Sequence, residues 1–403
     1  MLTLLRGSGE FRRLFLAHTV SRAGDAFNTV ALLVLVFDLT GSGRGVAGAV
    51  MFEVLPVLLL GPIAGLGADR MPRRTLMVGA DLFRTTVAVA LAASTGSVAV
   101  AYAAAFGLSA GTAVFNPAAA ALLPDVVGTD ELVDANSALW TAAVTVQIAL
   151  APLAGLVIAV FGVEITFLVN AATFIASALL LSRLRVGRTA AEPTGRSRGD
   201  ILAGARTIIA DRLLIRLAVV QVIASMSAGA TSGLLVVLAD RWLGVGPSGF
   251  GALLGAVGLG ATAGPLVLRR FINAGDKRWL FGPFAVRGGV DLTLAAVASP
   301  VVAGGALTVY GMSTSTGMIA YQTTLQALVP APTRGRTFAA YDVAWNVARL
   351  ISLAIGGILA DVIDVRFVYM ISGLLLLVAA TIGLTTNNTT TGKTSRPAHR
   401  ESM

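Results

Sequence analysis

Twelve apolar stretches of about 20 residues or more constrain this chain more than any other feature of its sequence. They lie near residues 13–37, 45–68, 75–97, 99–123, 136–160, 163–183, 213–239, 248–269, 278–298, 301–329, 338–361 and 366–385. A helix of ~20 apolar residues crosses a bilayer, whereas barrel strands are about ten residues long and alternate in polarity. Charged residues make up only 13% of the chain, about half the share in soluble domains. The sequence therefore predicts an all-α integral membrane protein with twelve transmembrane helices.

Basic residues orient the predicted helices. If the N-terminus lies in the cytoplasm, the cytoplasmic loops hold most of the lysines and arginines, and the opposite loops hold only Arg44, Arg241 and Arg366. Loops rich in basic residues stay on the cytoplasmic side of a membrane. We therefore expect a multi-pass protein of the bacterial cell membrane with both termini in the cytoplasm. The formal charge of +9 then favours contact with anionic lipids over binding to nucleic acid.

The two halves of the chain repeat each other. ALLPDVVGTDELVDANSALW from Ala121 matches ALVPAPTRGRTFAAYDVAWN from Ala327, and GLVIAVFGVEITFLVNA from Gly155 matches GILADVIDVRFVYMISG from Gly357. A third match, between RTTVAVALAAS and RGGVDLTLAAVAS, has nearly the same offset. Matches at one offset indicate two parallel, pseudo-symmetric six-helix bundles, although apolar helices can also resemble one another by chance.

Four segments follow from this repeat. Residues 1–184 are predicted to form the first bundle and residues 212–386 the second. The polar stretch 185–211 between them is expected to be a cytoplasmic linker. Residues 387–403 are polar and low in complexity, which is typical of a disordered tail.

Five stretches of the sequence resemble the major facilitator superfamily. They are GPIAGLGADRMPRR after the second span, FNPAAAALLPDVV and ELVDANSAL around the loop before the fifth, FLVNAATFIASAL in the sixth, and TLQALVPAPTRGRTFAAYD around the loop before the eleventh. With the six-plus-six helices, the resemblance covers nearly the whole chain. It is similar, more narrowly, to the drug:proton antiporter branch, which holds macrolide and siderophore exporters. The resemblance implies a monomeric secondary transporter that uses no ATP and no cofactor and exports a small amphipathic compound in exchange for protons.

In that superfamily, the loop after the second span latches the two halves together at the cytoplasmic face. The resemblance implies that Gly65 lets two helices approach closely. It also implies that Asp69 lies against the N-terminus of the eleventh span, near residues 333–338, where the helix dipole favours a carboxylate.

Three arginines follow Asp69 in the same loop. The resemblance implies that Arg70, Arg73 and Arg74 hold the loop at the anionic membrane surface, and that some of them pair with a loop acid such as Asp125. The alternative is a plain positive-inside anchor. Arginines alone would serve as that anchor, and it would not need the acid.

The fifth span carries part of an antiporter motif. APLAGL, residues 151–156, resembles the GPxxGG type, with Pro152 and Gly155 in place and Ala151 and Leu156 where glycines stand in the motif. The match implies close packing of helices at a hinge. It does not establish antiport by itself.

Charged residues inside the predicted spans occur in pairs that share a helix face. A charge near the middle of the membrane costs about 2.5–3.5 kcal/mol on insertion scales, so a nearby partner is expected. The pairs at helical spacing are Arg22 with Asp25, Asp81 with Arg84, and Arg287 with Asp291. Each is either a structural ion pair that faces the bundle interior or part of a proton site.

Glu53 differs from these pairs, because no base lies within one turn of it on its own helix. A carboxyl removed from water and from any base favours its protonated form, which a proton carrier requires. We therefore predict Glu53 as the first candidate for proton coupling, Asp25 as the second and Asp342 as the third. The alternative for Glu53 is a neutral side chain hydrogen-bonded to another helix.

The central cavity is expected between spans one, four, seven and ten. Its predicted lining residues are Phe27, Asn28, Phe115, Asn116, Gln221, Met226, Met312, Tyr321 and Gln322. Aromatic and Met side chains suit bulky amphipathic ligands better than sugars or peptides. The alternative for each residue is packing or contact with lipid.

Two other functions stay open at this point: proton-coupled uptake of a small nutrient, and a membrane sensor or partner protein that transports nothing. An enzyme is not expected. The sequence has no cysteine, only two histidines, and no Ser–His–Asp or HExxH arrangement. GKTS at residues 392–395 lacks the first glycine and the preceding strand of a phosphate-binding loop.

Overall fold

The computed structural model describes residues 8–68, 71–128, 131–184, 206–268, 277–329 and 331–385. Regular structure in these ranges is helical throughout. The helices are α1 (Gly9–Thr40), α2 (Gly43–Ala68), α3 (Arg73–Ala92), α4 (Val98–Val127), α5 (Leu132–Ser182), α6 (Arg212–Gly233), α7 (Leu235–Arg241), α8 (Gly246–Leu268), α9 (Lys277–Ala296), α10 (Pro300–Leu328), α11 (Ala331–Val362) and α12 (Val365–Leu384).

Polar residues at the turns set where several helices begin. The hydroxyl of Ser8 accepts a hydrogen bond from the N–H of Phe11 (3.1 Å), and Ser97 caps α4 in the same way. Ser299 caps α10. Such caps satisfy backbone N–H groups that a helix start leaves free. Ser97 and Ser299 hold equivalent turns in the two halves, as the repeat predicts.

Nine of the described helices are long and apolar enough to cross a membrane. One of these, α5, contains two spans, because Gly162 interrupts it with a left-handed backbone (φ 84°). With α9 and α10, which are 20 and 29 residues long, the described helices provide twelve segments of membrane-spanning length. The predicted all-α membrane fold is confirmed. Because the number of crossings is even, α1 begins and α12 ends at the same face of the protein, which we name the terminal face. The opposite end is the far face.

The helices pack as two bundles. Helices α1 to α5 contact one another, and so do α6 to α12. Between the bundles, α2 contacts α11 and α5 contacts α8. The predicted linker at 185–211 falls mostly outside the described residues, and the predicted tail at 387–403 falls wholly outside them.

The apolar core shows how the two halves meet. Among the described side chains, one buried cluster near the far face includes Val34 and Val50 of the first half together with Val237 and Leu353 of the second. Near the terminal face, one cluster draws only on the first half and another only on the second. Among the described side chains, the halves therefore share a core near the far face, and each cluster near the terminal face stays within one half.

Candidate substrate and coupling site

Asp25 lies where the charges of the first half converge. Its carboxylate is 3.9 Å from the Nη1 atom of Arg22 on its own helix and 3.9 Å from the Nη1 atom of Arg84 on α3. The Asp25 side chain keeps 30% of its surface exposed, whereas Arg84 keeps 1%. Asp25 therefore lies beside a buried guanidinium while part of its own side chain remains exposed. It has two basic neighbours, whereas the helical spacing predicted one.

Arg84 is a fixed, buried cation. It donates a hydrogen bond to Asp81, which is also fully buried. Its guanidinium lies 4.8 Å from the ring centre of Phe115 and 4.2 Å from that of Phe174. A carboxylate and two aromatic faces together offset the cost of burying this charge. The predicted pairing of Asp81 with Arg84 is present.

The second half has an equivalent cation at Arg287 of α9. Its Nη2 atom donates to the hydroxyl of Tyr310 (2.9 Å), and its guanidinium lies 4.8 Å from the centre of the same ring. Asp291 is buried and accepts from Ser227 of α6 at 3.4 Å. Arg287 and Asp291 lie one helical turn apart on α9, but their side chains do not form the predicted ion pair within 4.0 Å. Each side chain instead forms a hydrogen bond to a neighbouring helix.

Glu53 faces a base across the boundary between the halves. Glu53 on α2 and Arg349 on α11 lie in the same region as Asp25, but Glu53 and Arg349 do not form an ion pair within 4.0 Å. Both Glu53 and Arg349 are partly exposed. The sequence prediction considered only bases on the helix of Glu53 itself, and so did not anticipate Arg349. Loss of charge on Glu53 would therefore change a longer-range interaction between the halves and would break no direct ion pair.

Asp342, the third predicted coupling residue, has a different position. Its side chain is exposed and lies near Tyr321 of α10. Its backbone carbonyl accepts a hydrogen bond from Asn346 (2.9 Å). The structure therefore brings Asp25 and Glu53 together, and places Asp342 closer to the terminal face.

The predicted cavity residues divide into two groups. Phe27, Asn28 and Phe115 are buried in the first half, so the packing alternative applies to them. The accessible members are Asn116, Gln221, Met226, Met312, Tyr321 and Gln322. These come from α4, α6 and α10, and they include amide and thioether side chains.

The loop motif after α2 is described only in part. Asp69 and Arg70 lie outside the described residues, and for Gly65 the surroundings are not described. Arg73 donates to the carboxylate of Asp125 at 2.7 Å, a partner that the sequence suggested. Arg74 donates to backbone carbonyls at the end of α5. These two arginines therefore tie α3 to α4 and α5 within the first half.

Gly155 lies at the closest contact between α5 and α8. A Cβ atom on Gly155 would stand 2.6 Å from the carbonyl oxygen of Pro247 and 3.2 Å from the Cα of Gly251. A Cβ on Gly251 would stand 2.6 Å from the carbonyl oxygen of Ala151. Pro152 is half-buried beside this contact. The backbones of the two halves thus touch at the position where the sequence predicted a hinge.

We expect Gly155→Ala to lower the thermal stability of the purified protein, because overpacking a tight contact costs about 1–3 kcal/mol. Gly79→Ala is the matched control, since a Cβ there meets no atom within 4 Å. Alanine in place of an exposed helical glycine should be neutral or slightly stabilising. Equal melting temperatures for Gly155→Ala and the unmodified protein would show that the contact does not need glycine.

Sequence reasoning missed two functional candidates, Arg349 as the partner of Glu53, and Asp361 at the end of α11. Asp361 binds residues at the start of α2. A signal for Asp361 was present in the sequence: GILAD at residues 357–361 repeats the spacing of GLGAD at residues 65–69, where the aspartate was predicted to bind the other half.

Two bundles of membrane-length helices that share a core near one face and hold buried charges in their interiors have the architecture of a membrane transporter. The chain belongs to the transmembrane secretion effector family of the major facilitator superfamily, whose sequence pattern matches residues 5–400. It is a transporter of this type and not an enzyme.

Relatives and solved structures agree with this assignment. YfiS, an MFS-type transporter of Bacillus subtilis (strain 168), is 26% identical over 94% of each chain. Rv0037c, an MFS-type transporter of Mycobacterium tuberculosis, is 34% identical over 143 residues, about a third of each chain.

The fold is similar to those of solved transporters. The nucleoside transporter NupG has a TM-score of 0.74 at 12% identity, and the match covers 93% of this chain and 98% of that chain. A bacterial homologue of the iron transporter ferroportin, in an inward-facing state, has a TM-score of 0.74 at 18% identity, with 93% and 97% covered. At these identities the likeness concerns the fold alone.

Proposed function

We propose that this protein exports a small amphipathic compound, such as a drug, a macrolide-like natural product or a siderophore, in exchange for protons. The observation that carries the proposal is the position of Glu53. It faces Arg349 across the two halves and lies close to Asp25. A carboxyl in this position links its own protonation to the strength of attraction between the bundles.

The proposed orientation follows the basic loops, which place the terminal face in the cytoplasm. Among the described side chains, the buried clusters near this face do not cross between the halves, and we infer that the space between the halves opens to the cytoplasm in this arrangement. An exporter takes up its substrate from that side. The far face, where the core is continuous, would then face outward and open in the second arrangement.

In this scheme, coupling arises because protonation of Glu53 removes its attraction to Arg349. An ionised Glu53 stabilises the contact between α2 and α11, and a protonated Glu53 does not. A proton that binds from one side and leaves to the other biases the two arrangements in turn. The membrane potential contributes about 2.3 kcal/mol per charge per 100 mV to this cycle. Asp25, held by Arg22 and Arg84, is the second candidate carrier.

The proposed substrate class rests on the accessible residues of α4, α6 and α10. Met226 and Met312 offer polarisable apolar contacts, and Asn116, Gln221 and Gln322 offer amide hydrogen bonds. Such a surface suits an amphipathic molecule. We propose that the protein works as a monomer in the cell membrane with protons, lipids and substrate as its partners, and without a cofactor.

Transport in proteoliposomes tests the proposal. The protein is reconstituted, a pH difference is imposed, and movement of tetraphenylphosphonium, ethidium and the anionic dye 8-anilinonaphthalene-1-sulfonate is followed. Export predicts that at least one probe accumulates on the acidic side and that protons move in the opposite direction. Accumulation with proton flow in the same direction would indicate coupled uptake. If protons do not respond to any probe or to a wider panel of amphipathic compounds, a non-transporting protein is favoured.

A further inference from the structure

Asp361, near the end of α11, binds the start of α2 in the other half. Its carboxylate accepts from the hydroxyl of Ser42 at 2.6 Å, from the N–H of Gly43 at 2.7 Å and from the N–H of Arg44 at 3.0 Å. Its side chain is only 8% exposed. The first N–H groups of a helix lack partners within that helix and carry partial positive charge. The second half therefore supplies the N-terminal cap of a helix in the first.

Two arginines complete this contact. The Nε atom of Arg44 donates to Asp361 at 3.1 Å, and the Nη2 atom of Arg241 lies 3.2 Å from the same carboxylate. Arg241, at the end of α7, also donates to the carbonyl oxygens of Gly41 in the first half and Ala360 in the second. Arg241 thus bridges both halves beside the Asp361 carboxylate.

A pair of glycines lets the two helices approach closely enough for these bonds. A Cβ atom on Gly357, one turn before Asp361, would stand 2.9 Å from the carbonyl oxygen of Gly43 and 2.8 Å from the Cβ of Ala47. A Cβ on Gly43 would stand 3.0 Å from the Cβ of Ala360. Both positions are therefore filled by neighbouring atoms, and a larger residue would push α2 and α11 apart.

An unfavourable contact lies close by at the same face. Asp38 near the end of α1 and Asp240 near the end of α7 belong to different halves and lie within electrostatic range of each other. They line a small shared cavity. Both side chains are exposed, so solvent and salt screen the repulsion between their like charges. This pair adds no attraction between the halves at the far face, in contrast to the Asp361 contact.

We propose that residues 357–361 form a latch that keeps the far face closed in the present arrangement and must open when the halves exchange arrangements. GILAD, residues 357–361 of α11, places a glycine four residues before an aspartate near the far face. The sequence GLGAD, residues 65–69, repeats this spacing after the second predicted span, although Asp69 lies outside the described residues. The repeated spacing would allow the same kind of contact to close each face in turn. The proposal depends on the movement of the two halves, but not on proton coupling or on the direction of transport.

Distances between spin labels test the latch. The chain has no cysteine, so labels can be placed without removing native residues. Ser94→Cys in the turn between α3 and α4 and Ala298→Cys in the turn between α9 and α10 are exposed far-face positions in opposite halves. In lipid nanodiscs, we expect Asp361→Asn to raise the ratio of open to closed far faces by about tenfold, the usual size of coupling between conformational states.

Asp364→Asn is the matched control. Asp364 lies three residues further along and accepts from the N–H of Arg366 within its own half, where it caps α12. It should leave the distance distribution unchanged. If Asp361→Asn fails to fold, Arg241→Gln removes the bridge instead and should shift the distribution in the same direction. An unchanged distribution in a folded Asp361→Asn or Arg241→Gln protein would overturn the latch. Because the measurement uses no substrate and no pH difference, its failure would leave the transport proposal intact.

Discussion

Replacing Glu53 with glutamine is expected to abolish accumulation of substrate against its gradient in proteoliposomes, while downhill exchange of substrate continues. Glutamine keeps the size of the side chain but cannot be ionised, so its attraction to Arg349 no longer depends on pH. Movement of the halves would then lose its link to protons. The measurement compares probe accumulation driven by an imposed pH difference with probe counterflow at equal pH.

Glu164→Gln is the control for this experiment. It makes the same chemical change at an exposed carboxylate that accepts from the hydroxyl of Thr95 at 2.8 Å, in a far-face turn. It should transport as the unmodified protein does. If Glu53→Gln accumulates substrate with unchanged dependence on pH, Glu53 does not carry the proton, and Asp25 becomes the first candidate.

Replacing Arg84 with leucine is expected to destabilise the first half by about 3–5 kcal/mol, the usual result of leaving one member of a buried ion pair alone. Asp81 would keep a buried charge without its guanidinium. The double variant Asp81→Leu/Arg84→Leu should recover most of the loss, since no buried charge then lacks a partner. Thermal unfolding in detergent, followed for each single and double variant, measures the coupling between the two residues.

Arg13→Leu provides the comparison. Glu10 and Arg13 have the same spacing as Asp81 and Arg84 and also form an ion pair, but their side chains are 28% and 40% exposed. An exposed pair contributes at most about 1 kcal/mol. A loss for Arg84→Leu as small as that for Arg13→Leu would mean that the buried pair adds little to stability, and that Arg84 serves mainly to position Asp25.

The helical framework could be predicted from sequence, because twenty-residue apolar stretches have one common solution in lipid. The observed helices differ from the predicted spans where the backbone leaves regular helical geometry or where a helix continues through proline. The fifth and sixth predicted spans form one element, α5, interrupted at Gly162, whose positive φ few other residues adopt. The seventh predicted span divides into α6 and α7 near Leu234. The fourth extends to Val127 through Pro117 and Pro124, since membrane helices tolerate proline.

Contacts between helices could be predicted only where spacing along one helix determines them. Asp81 and Arg84 met this condition and are paired. Glu53 did not, because its base comes from α11, almost three hundred residues further along the chain. Phe115 was expected in the cavity and packs against Arg84 instead, since aromatic residues on an interior face can line a space or fill one. Sequence spacing does not distinguish these two outcomes.

The central claim is that a proton on Glu53 shifts the balance between the two arrangements of the halves. It is tested most directly by the spin-label distance between Ser94→Cys and Ala298→Cys in nanodiscs, measured without substrate at alkaline and at acidic pH. We expect acidification to increase the fraction with an open far face, because a protonated Glu53 no longer attracts Arg349. In Glu53→Gln, the distance distribution should be the same at both pH values. A shift of equal size in both proteins, or none in the unmodified protein, would contradict the claim.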